Sequence, residues 1–388
     1  MRRRNRALAT DTSRQRAFRR RLTVSGLLGL LTVVAAVVFS PSVREPVQSG
    51  TQRPAASGAM SPAVPEATPA ASAAISPPSS ATGPEGAGLP PADAAPQLSP
   101  AHGVLVGAYV QPPNGHSLSD VESAVTRLEQ QLGRKLAIDQ LYEPWDSRPP
   151  LAVARWDISQ GRIPMISWGG TVASQIAAGD YDRHIRAWAQ QLRDLHSPVL
   201  LRWFWEMDLK ANADKAVSPG SYIAAWRHIH DIFTSMGAAN VDWVWCPDAS
   251  GFAGGRAQEF YPGSSYVDWA GADGYNWAPK RGTWRSFAQI FSHFYQWGLS
   301  AGKPLMVAEF GVIEGQPGAK AGWIAQTGQE IRSSFPALRA IVYFDDDHRN
   351  FNQDFNWRLN TSPSALAAFR ALAAEPYFAA RSLLIAQR

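Results

Sequence analysis

The 388-residue sequence contains a single cysteine, Cys246. One thiol cannot form an intramolecular disulfide, and it excludes the cysteine-rich ligand sets that hold structural zinc. Cys246 lies in an apolar, strand-like run, which predicts an inert thiol in the core. If the chain is exported, its folded part must be stable without a disulfide.

Net positive charge is absent from the larger part of the chain, although the whole sequence carries +5. Residues 1–40 contain nine arginines and one acidic residue, whereas residues 101–388 contain 26 lysines and arginines against 27 acidic residues. A nearly neutral domain lacks the basic footprint that nucleic acid requires. We therefore expect no nucleic-acid partner.

The N-terminal arginines precede a long apolar run. An arginine-rich arm, residues 1–21, leads directly into residues 22–39, which carry no charge. Eighteen helical residues span about 27 Å, close to the thickness of a bilayer core. The run is longer than the apolar region of an ordinary signal peptide, so a retained transmembrane anchor is favoured over a cleaved signal sequence. Under either interpretation the arginines stay cytoplasmic and the following chain is exported.

Aromatic residues are absent from the next segment, residues 40–100. Its positions 41–100 hold 13 prolines and 14 alanines. Such a composition cannot bury enough apolar surface to offset the entropy of ordering the chain. The segment predicts a disordered, semi-stiff linker between the apolar run and a domain formed by residues 101–388.

The domain alternates short apolar runs with segments of helical spacing. Each run has the length and the flanking glycine, proline or polar residues of a buried strand. Eight such units predict an α/β fold, the (β/α)₈ TIM barrel. No glycine-rich phosphate turn follows the first run, which disfavours a doubly wound sheet. The predicted strands are Val104–Val110, Leu136–Tyr142, Ile163–Gly169, Val199–Glu206, Val241–Pro247, Val267–Tyr275, Pro304–Gly311 and Leu338–Asp345.

Local signals also predict where helices begin. Ser119 and Glu122 have the spacing of a capping box, and Ser218 followed by Pro219 is typical of a first helical turn. Further segments have the length and apolar spacing of amphipathic helices. These segments are Tyr181–Leu195, Trp284–Leu299 and residues 363–373.

Two glutamates end apolar runs of the predicted barrel. Glu206 ends the fourth run and Glu309 lies at the end of the seventh. The C-terminal ends of barrel strands form one mouth, where a protonated and an ionised carboxyl group suit cleavage of a glycosidic bond. Strand alternation predicts that Arg202, Phe204 and Glu206 share one face. Apolar neighbours such as Phe204 and Trp205 are expected to raise the pKa of Glu206 and favour the acid role.

Other strand ends carry aromatic and polar side chains that suit carbohydrate binding. Trp168 and Trp277 follow the third and sixth runs and are expected to stack on sugar rings. Arg202, Trp205 and Asp273 are expected to line the same substrate-binding site. The predicted chemistry requires no metal or organic cofactor.

Taken in order, these residues resemble glycoside hydrolase family 26, which comprises (β/α)₈ retaining β-mannanases and related β-glycanases. The similarity extends from about Gly107 to Phe369. It rests on motifs that occur in the same order along the chain. They are Val199–Arg202 leading to Glu206-Met207, Tyr222–His228, Val241–Trp245, Tyr261–Gly263, Val267–Trp269, Asp273–Asn276, Lys303-Pro304 and Ala308–Gly311.

The resemblance implies that Glu206 is the acid/base, that Glu309 is the nucleophile and that Tyr275 forms a hydrogen bond with Glu309. It further implies a retaining mechanism with the carboxyl groups about 5–5.5 Å apart. The chain departs from the family pattern at three places: Trp205 replaces a usual histidine, Asp208-Leu209 replaces a usual Asn-Gly, and Tyr343-Phe344 stands where a tryptophan is often found. Because tryptophan donates one hydrogen bond and accepts none, recognition of the sugar 2-hydroxyl is expected to differ.

We therefore predict an exported, membrane-tethered endo-β-glycanase with β-1,4-mannan as its first substrate. A β-glucan, or another β-glycan in a cell-surface exopolysaccharide, is the second substrate class. A non-catalytic carbohydrate-binding barrel is the alternative from a different functional class. The expected partners are a polysaccharide and, through the N-terminal segment, a membrane, and the protein is expected to be a monomer.

Overall fold

The computed structural model describes residues 98–351 and 355–380. The predictions for the arginine-rich arm, for the apolar run and for the linker up to residue 97 lie outside these residues. Within the described ranges, no helix is both long enough and apolar enough to cross a membrane.

Eight parallel strands form a closed barrel in which each strand pairs with the next in chain order. The last strand pairs with the first over six residues, which closes the cylinder. The predicted (β/α)₈ fold is confirmed, and each apolar run overlaps one strand, although β2, β6 and β7 end one residue beyond the predicted run. The strands are β1 Leu105–Val110, β2 Ile138–Glu143, β3 Ile163–Trp168, β4 Val199–Trp203, β5 Val241–Trp245, β6 Trp269–Asn276, β7 Leu305–Val312 and β8 Leu338–Asp345.

Helices lie in the connections between the strands and cover the barrel. They are α1 Leu118–Leu132, α2 Leu151–Ser159, α3 Ala173–Ala177, α4 Asp182–Arg193, α5 Ala213–Ala216, α6 Pro219–Ser235, α7 Phe287–Ala301, α8 Ala319–Ser334 and α9 Pro363–Ala374. Short 3₁₀ turns occupy Lys210–Asn212, Ala249–Phe252, Gln258–Phe260, Ser264–Tyr266, His348–Phe351, Leu359–Thr361 and Pro376–Phe378.

The helix starts follow local sequence with one shift. Ser117 caps α1: its hydroxyl accepts from the Asp120 backbone N–H, and the Asp120 carboxylate accepts from the Ser117 backbone N–H. The predicted box at Ser119 is therefore two residues too late, because an aspartate fills the third helical position as well as a glutamate does. Ser218 caps α6 with Pro219 in its first turn, as predicted.

Strand alternation divides the apolar core into two layers. The inner layer fills the barrel toward the N-terminal ends of the strands, and the outer layer lies between strands and helices and is rich in tryptophan. The apolar filling leaves the C-terminal ends of the strands as the place where polar side chains collect inside the barrel. The inner layer includes Leu98, Leu105, Ile138, Ile163, Met165, Leu200, Val244, Met306 and Ala340.

The chain leaves strand geometry where β4 ends. After Trp203, the backbone adopts positive φ angles at Phe204 (44°) and Glu206 (53°). The Phe204 ring packs in the outer layer, 5.8 Å from the ring of Tyr222. The prediction that Phe204 shares a face with Arg202 and Glu206 is therefore wrong, because two left-handed residues interrupt the period of two.

Candidate active site

Buried polar side chains from five strands converge inside the C-terminal end of the barrel. Their burial is unusual, because charged groups inside proteins are rarely buried unless they are paired. Glu206, in the turn after β4, is 6% exposed and joins them from above. The five strand residues are Gln140 of β2, Ser167 of β3, Arg202 of β4, Asp273 of β6 and Glu309 of β7.

The Glu309 carboxylate accepts hydrogen bonds from side chains on three other strands. Arg202 Nη2 and Tyr142 Oη donate to Oε1, the latter at 2.5 Å, and Tyr275 Oη donates to Oε2. These donors and the guanidinium charge stabilise a negative carboxylate, which is the form a nucleophile requires. The contact from Tyr275 is the one that the family resemblance implied.

Arg202 is itself held by buried partners. Its Nη1 donates to Asp273 Oδ2 at 2.8 Å and its Nε donates to Ser167 Oγ at 2.9 Å. The buried Cys246 thiol donates to Asp273 Oδ1 at 3.1 Å. Arg202 and Asp273 are fully buried, which corrects the prediction that they bind substrate. They lie beneath the carboxylate of Glu309 and orient it.

Sequence reasoning missed two members of this network, Gln140 and Tyr142 of β2. The side-chain amide of Gln140 is oriented so that its oxygen and its nitrogen both have hydrogen-bond partners. In this orientation Oε1 accepts from Arg202 Nη2 at 2.6 Å, and Nε2 donates to the Ala308 carbonyl at 3.2 Å. Strand alternation could have identified both residues. Gln140 and Tyr142 follow Ile138 at intervals of two residues along β2, and Ile138 belongs to the inner apolar layer, so all three side chains face the inside of the barrel.

Glu206 is placed by its backbone. Its N–H donates to the Cys246 carbonyl at 2.8 Å, and its own carbonyl accepts from Asn212 Nδ2 at 2.8 Å. Burial raises the pKa of the Glu206 carboxyl well above its ordinary value, and the charges of Asp273 and Glu309 raise it further. A carboxyl group that keeps its proton near neutral pH can protonate a leaving oxygen.

Asp208 ties the Glu206 segment to the loop after β5. Its Oδ1 accepts from the Asp248 N–H at 2.9 Å, and its Oδ2 lies 3.2 Å from Arg256 Nη2. Burial, together with the charge of Asp248, raises the pKa of Asp208 to about 6. A Cβ atom at Gly251 would lie 2.1 Å from Asp208 Oδ2, so this close approach needs glycine.

Aromatic rings form one wall of the mouth. The half-buried Trp277 packs against Trp357 and Phe355, with ring centroids 4.8 and 5.1 Å away, and keeps part of its surface open at the end of β6. Trp205 is 8% exposed, and its ring lies 4.9 Å from the Arg202 guanidinium carbon. Trp205 and Trp277, two of the three tryptophans that were predicted to contact substrate, therefore lie at the mouth.

Trp168 lies elsewhere. It is fully buried and stacks between Trp145 and Trp188, with ring centroids 4.4 and 4.2 Å away. The prediction of a sugar platform at Trp168 is wrong. Because Ser167 points into the barrel and hydrogen-bonds Arg202, alternation turns Trp168 outward into the layer beneath the helices.

Two buried glutamates at the C-terminal mouth of a closed (β/α)₈ barrel are an arrangement that suits the cleavage of glycosidic bonds. The family model described as glycosyl hydrolase family 26 matches residues 165–310, the part of the chain that contains Glu206 and Glu309. The resemblance seen in the motifs is confirmed: the barrel belongs to glycoside hydrolase family 26.

Individual relatives agree with this assignment. Endoglucanase H of Acetivibrio thermocellus is 34% identical over 289 residues, which are 69% of this chain and 30% of that protein. Mannan endo-1,4-beta-mannosidase A and B of Caldalkalibacillus mannanilyticus is 26% identical over 160 residues, 40% of this chain and 28% of that protein. The chain thus spans about 30% of the length of these relatives.

A solved structure shows the same fold at low sequence identity. The catalytic domain of the family 26 endo-beta-1,4-mannanase of Bacillus sp. JAMB-750 matches with a TM-score of 0.53 at 16% identity. The match covers 73% of this chain and 89% of that structure.

Proposed function

We propose that the protein is a retaining endo-β-glycanase with Glu206 as acid/base and Glu309 as nucleophile. One observation carries this proposal: three donors hold Glu309 as a carboxylate, while burial favours the protonated form of Glu206. Two carboxyl groups in opposite protonation states at one mouth are what a double displacement requires.

In the first step, a carboxylate oxygen of Glu309 attacks the anomeric carbon while Glu206 gives its proton to the leaving glycosidic oxygen. This step produces a covalent glycosyl ester on Glu309 and a carboxylate on Glu206. In the second step, Glu206 takes a proton from water, the water oxygen attacks the anomeric carbon, and the Glu309 carboxylate leaves.

The first proposed substrate is a β-1,4-mannan-type polysaccharide, which the family resemblance and the curated mannanase relative support. A β-glucan is the second candidate, because the relative with 34% identity is an endoglucanase. Mannose and glucose differ in the orientation of the 2-hydroxyl. Trp205, at the position of the usual family histidine, supports an altered environment for that hydroxyl.

We also propose that the barrel acts outside the cytoplasm as a monomer. The support is the arginine-rich arm ahead of residues 22–39, an order that favours export of the following chain. Retention of this run would leave the enzyme anchored to the membrane, and its cleavage would release the enzyme. Fractionation of cells that produce the full chain tests this, and recovery of the barrel in the cytoplasm would refute it.

The test of activity incubates the full-length protein with a panel of mannans, glucans and xylans. Product length and the anomeric configuration of the first product are measured, and retention is expected. Glu309→Ala and Glu206→Ala should lose release of reducing sugar, whereas Glu259→Ala, at an exposed position of the 3₁₀ turn Gln258–Phe260, should keep it. Initial inversion would refute the double displacement. Binding without cleavage by the unaltered protein would identify a non-catalytic barrel.

A further inference from the structure

The two oxygens of the Glu309 carboxylate differ in their contacts. Oε1 accepts from Arg202 Nη2 and from Tyr142 Oη, which together occupy its two lone pairs. Among the described residues, the one donor recorded on Oε2 is Tyr275. Oε2 therefore keeps a lone pair for the anomeric carbon, and Oε1 becomes the carbonyl oxygen of the glycosyl ester.

Tyr142 has one proton and two acceptors within reach. Its Oη lies 2.5 Å from Glu309 Oε1 and 2.8 Å from Gln140 Oε1 in the satisfied orientation of the amide. The same Gln140 oxygen accepts from Arg202 Nη2 at 2.6 Å and from Ser167 Oγ at 3.2 Å, so a bond from Tyr142 replaces the longer bond from Ser167. A charged carboxylate is the stronger acceptor of the two, so the free enzyme places the proton on Glu309. The carbonyl oxygen of the glycosyl ester carries no charge, so it is not a stronger hydrogen-bond acceptor than the amide oxygen of Gln140.

The ring of Tyr142 is fixed by its neighbours. Tyr109 packs edge-on against it at 4.8 Å, Trp205 at 5.3 Å and Phe344 at 6.2 Å between ring centroids. The hydroxyl proton can therefore change acceptor by rotation about the C–O bond, while the ring keeps its place. Trp205 thus connects the segment of Glu206 with the residue that holds Glu309.

We propose that Tyr142 is a second positioning tyrosine for Glu309, whose proton binds Oε1 while the carboxylate is charged and turns to Gln140 once the ester has formed. When water attacks the anomeric carbon, the bond to Oε2 breaks and its electron pair returns to the carboxylate. The proton of Tyr142 then returns to Oε1 and stabilises the developing charge. This interaction is stronger in the transition state than in the ester, so it accelerates ester hydrolysis.

The inference rests on the proposed double displacement. Its test compares the full-length unaltered enzyme with full-length variants, and the substrate is an activated dinitrophenyl β-glycoside that the unaltered enzyme hydrolyses. Tyr142→Phe removes one oxygen and keeps the ring packing. We expect kcat to fall about 10- to 100-fold, the effect of a hydrogen bond to a charged group. KM should fall with it, and dinitrophenol should be released in a burst equal to the enzyme concentration, because the ester accumulates.

Tyr109→Phe is the matched control, since Tyr109 packs on the same ring and no hydrogen bond from it to Glu309 is recorded among the described residues. It should show no burst. Intact mass should reveal one added glycosyl group on Tyr142→Phe alone. A kcat within threefold of the unaltered enzyme, or a lower kcat with no burst and no added mass, would overturn the role of Tyr142.

A second substitution tests the other acceptor. If Gln140 receives the proton, the effects of Gln140→Leu and Tyr142→Phe on ester hydrolysis should be coupled, and additive effects would remove Gln140 from the proposal. An unaltered enzyme that cleaves no β-glycoside would refute the proposed function itself, whereas the burst comparison concerns Tyr142.

Discussion

Arg202 and Asp273 form a fully buried ion pair inside the barrel, with Nη1 of the arginine 2.8 Å from Oδ2 of the aspartate. The other terminal nitrogen of the same guanidinium donates to Glu309. A guanidinium is planar and rigid, so the bond from Nη1 to Asp273 of β6 also determines the direction in which Nη2 donates to Glu309 of β7. The pair therefore sets the position of the proposed nucleophile.

The first prediction concerns the stability of this pair. Asp273→Asn should lower the free energy of unfolding by about 3 kcal/mol or more, because it leaves a buried arginine with less compensating charge. Urea unfolding measures this. Asp194→Asn is the control, since the pair of Asp194 with Arg193 is 46% and 37% exposed and should change stability by less than about 0.5 kcal/mol. Equal effects of the two substitutions would contradict the prediction.

The second prediction concerns the basic limb of the activity profile. Because burial raises the pKa of Glu206, its proton should be available near neutral pH and lost as the pH rises through that raised value. The kcat/KM for polysaccharide should fall there. A dinitrophenyl glycoside needs no protonation of its leaving group, so its kcat/KM should stay level over the same range. The same basic limb for both substrates would argue against Glu206 as the acid.

The third prediction concerns stability and pH at the start of β5. Burial and the charge of Asp268 raise the pKa of Asp242 from 3.8 to about 7. Between those values the unfolded chain has lost the proton that the folded protein keeps, so stability falls as the pH rises. Asp242→Asn should raise the free energy of unfolding at pH 8 by about 2 kcal/mol, with little change at pH 4.

Urea unfolding at both pH values checks this prediction for Asp242. An asparagine oxygen can still accept the bond from Trp269 Nε1, which lies 3.3 Å from Asp242 Oδ2. The Asp242 carboxylate also accepts a bond from the Leu98 backbone, and the loss of that bond in asparagine should act equally at both pH values, so the difference between the two pH values reports the charge. Asp214→Asn, at an exposed position of α5, should give the same small change at both pH values. A benefit for Asp242→Asn that is equal at pH 4 and pH 8 would refute the linkage.

The fourth prediction separates the two tryptophans that sequence placed together. Trp277→Ala should weaken oligosaccharide binding in a Glu309→Ala background, because its partly open ring lies at the mouth. Trp168→Ala should instead lower the free energy of unfolding by about 3–5 kcal/mol, the usual cost of removing a buried tryptophan. Calorimetric titration and urea unfolding measure the two effects. If Trp277→Ala mainly lowered stability and Trp168→Ala mainly weakened oligosaccharide binding, the roles given to the two tryptophans would be wrong.

The fifth prediction concerns the close contact of Gly251 with Asp208. Gly251→Ala would bring a Cβ atom 2.1 Å from Asp208 Oδ2, so we expect the Glu206 segment to shift and kcat to fall. Gly254→Ala is the matched control, because a Cβ atom there would meet nothing within 4 Å. Adding Asp208→Ala to Gly251→Ala should relieve the clash. Equal activity of the two glycine variants would exclude a positioning role for this contact.

Alternation in the sequence was sufficient to identify the barrel and its mouth. The eight apolar runs each overlap a strand, and β8 begins and ends at the predicted residues, Leu338 and Asp345. The period did not determine on which side of β7 Glu309 lies, because Met306 and Ala308 face the inner layer and the pairing of β7 with β8 shifts in register between Val307 and Phe310. It could not predict the turn after β4, because positive φ angles at Phe204 and Glu206 are imposed by the packing around them and by no local glycine.

The sequence by itself determined the fold class, the strand end near which each glutamate lies and the resemblance to the family. Those features depend on hydrophobic period and on the order of motifs along the chain. Only the tertiary structure decided which polar residues meet substrate and which support others. Arg202, Asp273 and Trp168 proved to be fully buried, whereas Tyr142 proved to hold Glu309. Contacts between distant strands set those roles, because barrel closure brings β2, β4, β6 and β7 together although no local sequence pattern connects them.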